Sequence, residues 1–101
     1  MGEIDIEGRL IVWDDNKDAI NRQKHNLSLR RAARVFLDEN RIEFRDNKHS
    51  EEEERFITIG RVKDVLFVAY TEREEKTRLI SARKANKEER SWYFYGNDLC
   101  L

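Results

Sequence analysis

Past Asn40 the spacing of apolar residues changes from one every three to four positions to one every second position, and that switch restricts the chain to helices packed against a sheet. Ile42 and Phe44 alternate with Arg41, Glu43 and Arg45, the pattern of a half-buried strand, and Asp46-Asn47 then supplies turn chemistry. A second strand is expected from Arg55 to Ile59, ending at Gly60, and a fourth near Thr77 to Ala82. Between them, Val65 to Thr71 is an unbroken apolar run, which predicts a central strand covered on both faces. The connections Gly60 to Asp64 and Glu72 to Lys76 are short and charged, so the last three strands should form an antiparallel meander.

Upstream the period is helical. Leu10 to Trp13 is a short β-prone run, and Asp14 or Asp15 then offers an acceptor to the first free amides of a helix over roughly residues 15 to 25. Asn26 tolerates the left-handed conformation that ends a helix, and Ser28 is a good cap for the next. Leu29, Ala32, Ala33, Phe36 and Leu37 then form one apolar stripe, which predicts a core helix. From Lys84 to Tyr95 the helical period returns and predicts a terminal helix lying back on the sheet. Residues 1 to 8 show no clear period and read as a loose lead-in. The expected order is β-α-α-β-β-β-β-α, an α+β fold with helices on a mostly antiparallel sheet. It forms a single domain over 1–101, structured from about 10 to 95.

Charge limits what such a domain can bind. Twenty basic and 21 acidic residues leave a net charge of −1, so no global field draws the chain to a polyanion and any such site must be local. Residues 73 to 90 hold a local excess of Lys and Arg, whereas Glu51 to Glu54 form an acidic run that reads as solvation of a strand entry. Cys100 is the single cysteine, which excludes a disulfide framework and suits a reducing cytoplasm. No apolar segment approaches the roughly 18 residues of a membrane span. The two histidines, His25 and His49, lack the spacing of a transition-metal site, and no Gly-rich phosphate loop is present.

Two motifs carry the candidate chemistry. In Trp13-Asp14-x-x-Lys17-x-x-x-Asn21-x-x-Lys24-His25, Lys17, Asn21, Lys24 and His25 recur at the spacing that usually carries a helix's apolar stripe. A solvated helix face explains the same pattern, and a histidine at a helix C-terminus is an ordinary cap. In Arg78-Leu79-Ile80-Ser81-Ala82-Arg83, arginines bracket an apolar run, although on a straight strand Arg78 and Arg83 point to opposite faces and meet only at a bend. Salt bridges to the many glutamates would occupy such arginines equally well, and a charged, non-catalytic protein-interaction module is then the alternative reading.

These motifs, with Ala33, Val35-Phe36-x-Asp38, Glu54-Arg55, Gly60, Tyr70-Thr71-x-Arg73, Ala85 and Glu89, resemble in order and spacing the BrnT family of bacterial type II toxin-antitoxin ribonucleases. The resemblance covers roughly residues 10 to 93. It implies a RelE-like fold, RNA cleavage without metal or other cofactor, inhibition of translation, and a cognate BrnA-like antitoxin that folds onto the toxin and alone contacts DNA. On that basis Arg73, Arg78 and Arg83 are expected to clamp phosphate with help from Lys24, and His25 or Glu54 to move protons. Lys17, Asn21, Arg55 and Lys84 are expected to bind RNA.

Overall fold

In the computed structural model, which describes residues 1–96, the first helix, α1, runs Asp15–His25 between its anticipated caps. The Asp14 carboxylate accepts from the Lys17 amide at 3.1 Å, and Asn26 closes the helix in the left-handed region at φ 53°. Ser28 likewise caps α2, Leu29–Ala32. The long second helix expected from the stripe is not continuous, because Ala33–Leu37 tightens into a 3-10 turn. In this tighter winding Val35 sits on Gly60, where any Cβ would collide with a Val35 methyl, and Leu37 is exposed.

Six strands form one sheet in the order β1-β2-β6-β5-β4-β3. They are β1 Gly2–Ile6, β2 Arg9–Trp13, β3 Ile42–Arg45, β4 Phe56–Val62, β5 Asp64–Arg73 and β6 Lys76–Lys84. The meander of β4, β5 and β6 is antiparallel as expected, and β2 joins β6 in parallel. Residues 2–6, expected to be loose, instead make an antiparallel hairpin with β2. Glu7 and Gly8 both take positive φ at its turn, which matches the twist of the strands, and Ile6 enters the core. Cys100 lies outside the described residues.

Each face of the sheet carries a cluster of apolar side chains. Leu29, Ala32, Val35 and Phe36 pack on Ile11, Leu66, Val68, Tyr70 and Leu79 on one face. On the other, Trp92 and Tyr93 of α3, Lys87–Tyr95, cover Ile57, Ile59, Val65 and Ala69. Among the described residues no helix is long and apolar enough to cross a membrane.

Helix α1 sits differently: its one buried residue is Asn21. Pairing of β2 with β6 stops at Trp13 and Leu79, so the edge of β6 beyond that point needs another partner. The Asn21 carboxamide supplies it, accepting from the Ala82 amide at 2.9 Å and donating to the Ala82 carbonyl at 2.9 Å. It also donates to the Leu27 carbonyl at 2.8 Å. One side chain thereby extends the sheet and ties the helix to it.

Candidate functional site

A register shift between β5 and β6 adjoins a cleft lined by Arg78 and Ile80 of β6. Ala69 faces Ser81 and Tyr70 faces Leu79, so Ile80 is an extra residue in β6. In an unbroken strand Arg78 and Arg83 would diverge; with the bulge between them, both face the side on which Phe67 and Thr71 lie, opposite Leu79 and Ala82. The bend required for the two arginines to share a face is therefore present.

Arg78, half-buried, lies beside its strand partner Thr71, and the cleft opens over this pair with a volume of about 530 Å³. Arg73, Arg55 and Lys17 line it, together with Ile80. The connection from β3 to β4 forms the remaining wall, through Lys48, His49 and Glu51 to Glu53. Thr71 is only 2% exposed, and its hydroxyl is the one buried side-chain oxygen or nitrogen among the described residues without a hydrogen-bond partner. Unbonded polar groups in a folded interior are uncommon and cost stability.

Five cationic side chains face three carboxylates around the cleft, an excess of positive charge within a chain that is slightly acidic overall. Glu53 holds Arg73 by a hydrogen bond from its Nε at 2.9 Å. The acidic run thus roofs the basic floor instead of merely solvating a strand entry. Lys17, Arg55 and Arg78 enter no ion pair among the described residues. Their donors are available to an anion.

His49 is oriented as well as placed. Its Nδ1 lies 2.9 Å from the Asp46 carboxylate, which can only accept, so Nδ1 carries the hydrogen and Nε2 is the ring nitrogen left without a partner among the described residues. The sequence alone points to neither His49 nor Thr71. The signals were faint: Asp46 stands three residues before His49, and Thr71 is a polar end to an apolar run.

The other expected residues fall elsewhere. Lys24 and His25 end α1 about 10 Å along its axis from Lys17 and do not line the cleft, so the help expected of Lys24 with phosphate and of His25 with protons has no place in it. Glu54 pairs with Arg45 at 3.1 Å, and Lys84 with Asp64 at 3.6 Å. Asn21 is buried by its bonds to Ala82. Arg83 stacks over Phe67 and makes a forked pair with Glu89 at 2.7 and 2.9 Å. Burial pushes the Glu89 carboxyl up, but Arg83 and the Asn86 amide outweigh it and hold it below the usual carboxylate range. Among the described residues no three His, Cys, Asp or Glu side chains are grouped to hold a metal ion.

Such a cleft can hold a phosphate on cations, offer a neutral hydroxyl beside it and move a proton at its rim. Residues 13–89 match the family model described as the ribonuclease toxin, BrnT, of type II toxin-antitoxin system. No curated protein sequence matches the chain.

Proposed function

The chain belongs to the BrnT family of type II toxin-antitoxin ribonuclease toxins, and from that membership we propose that the Thr71 cleft cuts RNA without a metal ion, by 2′-hydroxyl attack on the adjacent phosphate. The observation that carries this reading is the gathering of Lys17, Arg55, Arg73 and Arg78 around a buried hydroxyl with no partner. The scissile phosphate sits on the Arg78 and Arg73 guanidiniums, with the Thr71 hydroxyl donating to one of its oxygens. His49 Nε2 takes the 2′-hydroxyl proton as the 2′-oxygen bonds to phosphorus. As the bond to the 5′-oxygen breaks, Lys17 supplies that oxygen with a proton, and the guanidiniums stabilise the growing charge. The products are a 2′,3′-cyclic phosphate and a 5′-hydroxyl. In the cytoplasm this cleavage would stop translation, and a BrnA-like antitoxin carrying the DNA-binding function would neutralise it.

The reading is tested by treating an RNA oligonucleotide with purified protein in EDTA and identifying the ends. Cleavage that survives EDTA and leaves 2′,3′-cyclic phosphate or 3′-phosphate ends is expected, and 3′-hydroxyl ends with EDTA sensitivity would sink the mechanism. His49→Ala should slow the reaction about 100-fold.

Glu53 competes with the substrate for Arg73. Replacing it by glutamine removes one carboxylate from the roof, and RNA binding should tighten about 2- to 5-fold at low salt, the scale of an exposed ion pair. Fluorescence anisotropy with a labelled, non-cleavable 2′-deoxy substrate measures this; unchanged affinity would show that Glu53 does not compete.

A further inference from the structure

Four of the arginines without carboxylate partners line a second groove, remote from the cleft. Arg9, Arg22, Arg41, Arg45, Arg73 and Arg83 each hold a carboxylate within 4 Å. Arg30, Arg31, Arg34 and Arg61 hold none among the described residues, although the chain has 21 acids available. They line two adjoining clefts that share Arg34 and Val62 and run from Ile4 past α2 to Leu37 and Tyr93. The one acid lining them, Asp38, is already engaged by the Tyr93 hydroxyl and by the Arg61 and Asn40 amides. Neither cleft shares a residue with the Thr71 site.

We propose that this groove docks an acidic, aliphatic segment of a partner protein, its carboxylates meeting Arg30, Arg31, Arg34 and Arg61 and its apolar side chains resting on Ile4, Leu37 and Val62. Charge complementarity decides the sign of the partner: clustered guanidiniums repel one another until carboxylates separate them, and Arg forks carboxylates with good geometry. The floor decides its class. Leu37 is 44% exposed, and an aliphatic floor rewards burial of aliphatic side chains but gives bases no ring face on which to stack. Tyr93, the one aromatic lining the groove, stands at its far end and does not line the cleft that holds Arg30 and Arg31. In this family the partner to use as the probe is the antitoxin, and in that choice alone the inference rests on the toxin reading.

The test is the double variant Arg31→Glu/Arg34→Glu, both exposed positions, titrated calorimetrically with the purified cognate antitoxin and expressed in bacteria with and without it. Affinity for the antitoxin should fall about 100-fold, the effect of reversing two interfacial charges. RNA cleavage by the purified variant should stay at the wild-type rate, and the antitoxin should no longer rescue growth. Unchanged antitoxin affinity would overturn the proposal. So would intact antitoxin binding with weakened RNA binding, which would make the groove a nucleic-acid surface. If the wild type cut no RNA, the toxin mechanism would fail while the calorimetric comparison still judged the groove.

Discussion

Arg78→Ala is expected to slow RNA cleavage about 100- to 1,000-fold, the usual loss when one pre-positioned transition-state donor is removed. Arg78 is distinguished from the other cations of the cleft by how it is held. Its backbone is paired with Thr71 of β5 on one side and Val12 of β2 on the other, so its Cα is fixed inside the sheet. Its guanidinium enters no ion pair among the described residues, so no internal bond must be broken before it binds phosphate. Arg73 has the same charge but must first release Glu53. Arg78→Lys keeps the charge and loses the planar fork, and should fall between, at about a 10-fold loss. Single-turnover cleavage, paired with a thermal melt, separates chemistry from folding. A folded Arg78→Ala protein cutting within about 3-fold of wild type would remove Arg78 from the catalytic assignment.

Much of this arrangement was legible because its signals are local. Asp14, Asn26 and Ser28 mark helix ends through their own side chains or backbone tolerance, and the structure uses each as anticipated. The apolar run in β5 follows from burial of both strand faces, whereas the alternation in β3 marks a strand but not its burial, since Ile42 is only partly covered and Phe44 is exposed. What was not legible depends on where one strand ends beside another. Asn21 stands in a polar stripe that suggested a ligand, yet it completes the hydrogen bonding of β6 because β2 stops short at Trp13. The extra residue Ile80 is equally silent in a sequence that keeps the composition of a strand, and it puts Arg78 and Arg83 on one face. Ile4 and Ile6 do alternate with Glu3 and Asp5, but two apolar positions are a weak period, and the Glu7-Gly8 turn lacks the stronger Asn-Gly signature. Likewise, nothing local announces that Glu53 will fold back across β5 onto Arg73.

Arg83→Ala should separate from Arg78→Ala by acting on stability. The Arg83 side chain is 37% exposed while that of Glu89 is 8% exposed, so deleting the arginine leaves a largely buried carboxylate with only its Asn86 amide contact. Breaking a fully buried pair costs about 3–5 kcal/mol, and water around the guanidinium screens part of that, so a loss of about 2 kcal/mol is expected. Phe67 also loses the guanidinium stacked on its ring. The pH dependence gives the cause away. In the wild type the Glu89 carboxyl lies below its unfolded value of 4.5, so the pair's contribution is complete above that value and is lost as pH falls through the lower folded one. Without Arg83, burial is opposed by the backbone bond alone, the folded carboxyl moves up, and acidification then removes less stability or restores some. Urea unfolding from neutral pH down to about 3 should therefore show a large gap between wild type and variant near neutrality that narrows in acid. A constant gap across that range would mean that Arg83 stabilises by packing on Phe67 alone. Full stability with a 100-fold loss of cleavage would instead return Arg83 to the phosphate clamp.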